Sequence, residues 1–216
     1  MHEFCPIPHE GDKTPARTVP GTGPVGPGLS RRAAIGALAA MLAACSIADP
    51  APNTPGLPGS GRLVWLKEPR PAPAAAFMGP DGPLTLDAFR GRAAFVNLWA
   101  TWCPACTHEL PDLAALQDRI DARRMAIVAI NVDLDDMTAV EAYLRSLNVP
   151  RLVAFADVGR TLTYWSAPPE GRDGLALVGM PVSYVVSPAG AILAYYVGMA
   201  DWTAPEALDL LDWLRA

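Results

Sequence analysis

WATWCPACTHELP, running from Trp99 to Pro111, is the stretch on which the fold turns. Before it lies an apolar run, Ala93 to Leu98 (AAFVNL), that reads as a short buried strand. After its midpoint, Pro104 to Ile120 reads as a helix, with Leu110, Leu113, Leu116 and Ile120 on one face. Cys103 and Cys106 thus stand where a strand hands over to a helix. Pro104 fits the first helical turn, where a missing N–H is harmless. The early N–H groups of a helix have no internal partner and carry partial positive charge, which favours a thiolate placed there. A free thiol has a pKa near ~8.5, and in Cys-x-x-Cys sites values of ~3.5–7.5 occur. Cys103, the outer sulfur, is therefore the expected nucleophile. Cys106, one turn further in, is placed to resolve a mixed disulfide. Pro104 and Ala105 between them close a small ring that opens and closes readily.

Other uses of two cysteines fit less well. The chain has four cysteines and three histidines. Beyond the pair, a zinc site could draw only on Cys5, Cys45, His2, His9 and His108, and four of these fall in the first 45 residues. A purely structural disulfide closing so small a loop restrains the unfolded chain little. A copper site of the Cys-x-x-x-Cys type with a distant histidine fails on spacing, and no histidine follows His108. The expectation is redox exchange, with no metal and no cofactor beyond the sulfur pair.

The chain has 216 residues, 51% of them apolar and 18% charged, with a formal net charge of −5. That is enough for a core, and it argues against a nucleic-acid partner, which would call for a basic stripe. Further along, Met125 to Asn131 (MAIVAIN) reads as a second buried strand. Thr138 to Leu147 reads as a helix, with Val140, Tyr143, Leu144 and Leu147 on one face, Thr138 and Glu141 as a capping box, and Asn148 and Pro150 as the stop. Leu152 to Ala156 is a candidate short strand. After a less regular section, Val182 to Val186 and Ala191 to Val197 form a hairpin across Ser187–Gly190. Thr203, Pro205 and Glu206 open a last helix with Leu208, Leu211 and Leu214 on its buried side. The order β-α-β-α, hairpin, α implies an α/β fold: a mixed central sheet flanked by helices on both faces.

The first part of the chain reads differently. Arg31 and Arg32 precede an apolar stretch, Ala33 to Ala44, that ends at Cys45 (SRRAAIGALAAMLAAC). A basic front, a short apolar middle and small residues at the cut make an export signal, and the stretch is shorter than the ~20 residues a bilayer span needs. Residues 1–45 are read as a leader and 46–75 as a Pro/Gly/Ala-rich tether and lead-in segment. The folded domain is read as 76–216. Ser46 to Gly61 carries four prolines and three glycines. Partly polyproline-like, at ~3.1 Å per residue, it would reach up to roughly 50 Å.

FVNLWATWCPACTHELP resembles the thioredoxin superfamily, and within it the TlpA/ResA-like bacterial thiol–disulfide oxidoreductases, the TlpA branch most. The resemblance extends from about Phe77 to the C-terminus through DGPLTLDAFRGR, AINVD, GMPVSYVVSPAG and the closing helix. It implies a thioredoxin-like fold and a reductant of disulfides in partner proteins. The implied clients are the copper-centre subunit of an oxidase or a copper chaperone, with apocytochrome c as the alternative. A membrane protein would donate the electrons. LAAC, Leu42 to Cys45, resembles a lipoprotein box, which implies a lipid on Cys45 and a place on the periplasmic side of a membrane. On residues alone the Met180–Pro181 bond would be trans. The resemblance implies cis, with Met180 and Pro181 binding the client and Pro181 discouraging metal capture. It also gives Glu109 a part in moving protons to and from the thiols, and notes that Asn97 stands where thioredoxin proper has a buried acid. Trp102, with Pro104 and Ala105, is read as contact surface and Trp99 as core. Pro111 is expected to kink the helix. His108 reads as a solvated residue and Asp133 as a cap or turn acid. Two rivals of other classes are a peroxiredoxin-type peroxidase, which needs a lone peroxidatic cysteine with Thr and Arg nearby, and a copper-carrying binding protein.

Overall fold

The computed structural model describes Gly59, residues 61–165 and residues 173–213. The leader, Cys45, most of the tether and Leu214 lie outside the described residues.

The strands are β1 Arg62–Pro71, β2 Phe77–Gly79, β3 Gly82–Leu84, β4 Ala93–Trp99, β5 Met125–Asn131, β6 Ala154–Ala156, β7 Thr163–Trp165, β8 Leu175–Leu177, β9 Val182–Val186 and β10 Ala191–Val197. The helices are α1 Pro104–Arg119, α2 Met137–Ser146 and α3 Pro205–Trp213. Eight strands form one sheet in the order β1-β10-β9-β4-β5-β6-β2-β3, while β7 and β8 pair separately in parallel. β4, β5 and β6 run parallel, and β9 joins β4 antiparallel, so the sheet is mixed as expected. Every residue of β4, β5 and β9 is buried, which requires cover on both faces. β10 alternates buried and half-buried positions, the pattern of a strand nearer the edge. Leu110, Leu113 and Leu116 of α1 are buried against this sheet, and α1 runs on through Pro111. Among the described residues no helix is long and apolar enough to cross a membrane.

Two sequence readings need correction. First, the sheet begins before residue 76. β1 pairs antiparallel with β10 from Arg62↔Val197 to Pro71↔Ala191, with a register shift between Trp65 and Arg70. Pro69 and Pro71 made this segment look like tether, but an edge strand tolerates proline, and β1 is the edge. Second, α2 is capped by Asp136, whose carboxylate accepts from the Thr138 N–H at 2.9 Å. Thr138 lies inside the first turn, so it is not the cap. Asn148, at φ 61°, ends the helix as expected. In α3, Ala207 and Leu210 are buried and Leu208 packs half-buried against the core, while the side chain of Leu211 lies, like Leu214, outside the described residues.

Candidate active site

Cys103 and Cys106 form a disulfide with Cα atoms 5.3 Å apart. Cys103 is the N-cap of α1: its backbone is extended, and its Sγ accepts the Cys106 N–H at 3.2 Å. The outer sulfur therefore sits where the helix start presents a free donor, as the sequence predicted. Both are nearly closed to solvent, Cys103 at 5% and Cys106 at 1% exposure. Pro104 is exposed and Ala105 half-buried. Trp99 is core, whereas Trp102 is 55% exposed.

Met180 and Pro181 are brought to the same end of the sheet by strand pairing. Leu98 and Val182 are register partners of the antiparallel pair β4 and β9. The residues that follow β4 and those that precede β9 therefore leave the sheet side by side. The Met180–Pro181 bond is cis, Pro181 is buried, and its carbonyl accepts the Gly198 N–H at 2.9 Å.

Asp133 holds the loop between β4 and α1. Its carboxylate accepts from the Thr101 N–H at 3.0 Å, from the Thr101 hydroxyl, and from Asn131 Nδ2 at 2.8 Å. The Tyr143 hydroxyl of α2 donates to the Thr101 carbonyl at 3.2 Å. Asp133 is thus a positioning residue for the turn carrying Trp102 and Cys103, a role close to the turn acid expected.

One turn further along α1 begins a sealed polar cluster. Glu109, one helical turn past Cys106, is only 1% exposed. Its Oε1 accepts the Ala200 N–H at 3.0 Å and the Trp202 indole N–H. Its Oε2 accepts from Asn97 Nδ2 at 3.2 Å, and the same amide donates to Ser183 Oγ at 2.9 Å. Asn97 and Ser183 are register partners on β4 and β9. Burial pushes the Glu109 carboxyl up from 4.5 to about 7. The bonds from Ala200, Trp202 and Asn97 oppose that rise, and the charge on Asp112 adds to it. With Oε1 occupied by two donors, a proton on Glu109 belongs on Oε2, facing Asn97. Asn97 Oδ1 has no hydrogen-bond partner. A half-turn of the amide presents that oxygen as an acceptor, so this cluster suits either protonation state of Glu109.

Of the other sequence-read residues, His108 is exposed on α1, as expected. The sequence reading missed Trp202, Ala200 and Ser183. Ser183 had a usable signal, a lone polar residue in an apolar strand like Asn97. Trp202 had none, because its contact with Glu109 spans 93 residues.

Two sulfurs joined across one turn at a helix start, beside a carboxyl held near neutrality, exchange a disulfide for two thiols. This is a thiol–disulfide oxidoreductase with a thioredoxin-like fold. The Redoxin family model matches residues 67–211, and the chain belongs to that family. It is 33% identical to the thiol:disulfide interchange protein DsbE of Pseudomonas aeruginosa, over 62% of this chain and 69% of the relative. It is 24% identical to the thiol-disulfide oxidoreductase ResA of Bacillus subtilis, over 53% of this chain and 58% of that one. Among solved structures, a thiol:disulfide interchange protein of the thioredoxin family from Chlorobium tepidum superposes with a TM-score of 0.50 at 25% identity, covering 69% of this chain and 98% of that chain.

Proposed function

We propose that this oxidoreductase reduces disulfides in partner proteins on the periplasmic side of a membrane, with clients in the assembly of an oxidase copper centre. The observation that carries the reading is the Cys103–Cys106 pair at the start of α1, with Glu109 buried one turn further along the same helix. In the proposed step the Cys103 thiolate attacks one sulfur of the client disulfide. A mixed disulfide forms and one client thiolate leaves. Cys106, deprotonated, then attacks Cys103 Sγ and releases the second client thiolate. The client gains two electrons, and the protein is left with its Cys103–Cys106 bond. Glu109 takes the proton that Cys106 gives up. Trp102, Pro104, Ala105, Met180 and Pro181 form the contact surface for the client. No cofactor is invoked beyond the two sulfurs, and a membrane electron-donor protein restores the dithiol.

Location follows from the sequence. Residues 1–45 act as the export leader, Cys45 receives lipid, and the Pro/Gly-rich stretch behind it spaces the domain from the membrane. A second client class, apocytochrome c before haem attachment, calls for the same chemistry, disulfide exchange of the kind named for the related DsbE and ResA.

The test is a Cys106→Ser variant produced in its own cell, which strands Cys103 on its client. Capture of oxidase copper-centre subunits or copper chaperones is the expected result, and capture of apocytochromes selects the second reading. A variant that forms no mixed disulfides with any protein overturns both.

A further inference from the structure

Among the described residues four large apolar side chains are exposed: Trp102 at 55%, Val153 at 39%, Trp165 at 59% and Trp213 at 38%. Trp213 leans edge-on against Trp65. The two most exposed, Trp102 and Trp165, meet each other with ring centroids 5.8 Å apart and planes 33° from parallel. They come from separate parts of the chain. Trp102 is the residue before Cys103, and Trp165 ends β7, in the insert between β6 and β9.

The reaction itself decides what covers this pair. A client sulfur must come within bonding distance of Cys103 Sγ, yet Cys103 is 5% exposed and Cys106 1%. The client cysteine must therefore enter through a narrow opening, and the residues flanking it must lie on the neighbours of Cys103. Trp102 is that neighbour in the chain, and Trp165 extends its apolar surface by a second ring. Tryptophan combines a large apolar area with few rotatable bonds, which suits it to anchoring a partner side chain.

We propose that Trp165 is a specificity-determining residue: with Trp102 it forms an aromatic seat for an apolar side chain next to the reacting cysteine of the client. The occupant is the cysteine-bearing segment of a disulfide client, so this inference rests on the reading of the protein as a reductant of protein disulfides. The exchange chemistry is unchanged. The seat acts on how the mixed-disulfide complex is reached.

The test uses the reduced full-length chain and a series of peptides with one internal disulfide, alike except for Phe, Gly or Asp beside the first cysteine. Oxidised glutathione serves as a small disulfide without a flanking chain. The Phe peptide is expected to exceed the Asp peptide in kcat/KM by about tenfold, carried mainly by KM. W165A should bring that ratio to within about twofold, W165K should do the same, and W165F should keep most of it. Equal rates for all peptides, or a ratio unchanged in W165A or W165K, overturn the seat. A parent protein that reduces neither peptides nor oxidised glutathione overturns instead the reading as a reductant.

Discussion

On the solvent side of the disulfide two indoles, Trp102 and Trp165, stand more than half exposed. On its core side a third indole, Trp202, is sealed with Glu109, Asn97 and Ser183, each of them at most 2% exposed. The same side chain does different work in the two places. Outside, its apolar face is left open for a partner. Inside, its N–H is committed to a carboxylate, and its ring packs edge-on to Phe95 at 4.7 Å. Changes on the outer side should alter recognition with little cost to folding. Changes on the inner side should alter folding and pH dependence together, because a buried charge couples the two.

The largest effect tests whether the division holds at the sulfurs themselves. Cys103→Ser should abolish disulfide exchange with both protein and small-molecule disulfides, whereas Cys106→Ser should still complete the first step and accumulate mixed disulfide. Mass spectrometry of the protein after incubation with a disulfide substrate reads this directly. Exchange persisting in Cys103→Ser would move the nucleophile to the inner sulfur.

Next comes Glu109. Its carboxyl titrates about 7 in the folded protein against an ordinary 4.5, raised chiefly by burial. Between those values the unfolded chain has released this proton while the folded one keeps it. The stability this group contributes is therefore fully present below about 4.5 and is lost as the pH rises through about 7. The amount at stake is about 3 kcal/mol. Glu109→Gln should flatten that part of the stability curve in denaturant titrations between pH 4.5 and 8. It should also remove the inflection near neutrality from the exchange rate. A variant whose two profiles track the parent would separate Glu109 from both stability and chemistry.

Trp202→Phe sharpens the comparison of indoles. The ring is retained in part but the N–H is gone, so the carboxylate loses one donor. Loss of a bond to the charged form raises the Glu109 pKa further, so the inflection in the exchange rate should move to higher pH. Stability above that inflection should fall by about 1.5–3 kcal/mol, the range for a hydrogen bond to a charged group. Lost stability with an unmoved inflection would reduce Trp202 to packing.

How much of this was legible beforehand depends on the reach of each interaction. The strand Ala93–Leu98, the helix from Pro104 and the strand Met125–Asn131 are local patterns, and each appears where its period placed it. Cys103 at the helix start was legible for the same reason, and Asn97 was singled out by the resemblance, because it stands where thioredoxin proper has a buried acid. The seal around Glu109 was not legible, because Ala200 and Trp202 reach it across 91 and 93 residues. Trp165 was not legible either, since β7 has only three residues and its partner indole lies in another loop. β1 was hidden by its own composition: prolines and charges that an edge strand tolerates also look like a linker.

The smallest effect belongs to a residue outside both regions, and it settles where α2 begins. Asp136 accepts the Thr138 N–H from the N-cap position, whereas Thr138 lies one step into the helix. Removing a capping carboxylate costs about 1 kcal/mol, because one of the helix's unpartnered N–H groups loses its acceptor. Asp136→Ala should lower stability by that amount. Thr138→Ala should change it by no more than about 0.5 kcal/mol, as for a surface substitution that removes no cap. Neither should alter peptide preference or the pH inflection, since α2 meets the active-site loop through Tyr143 and not through its first turn. Thermal unfolding of the two variants side by side provides the measurement. If Thr138→Ala proved the costlier, the cap would lie at the threonine after all, and the helix would start two residues later than the Asp136 hydrogen bond places it.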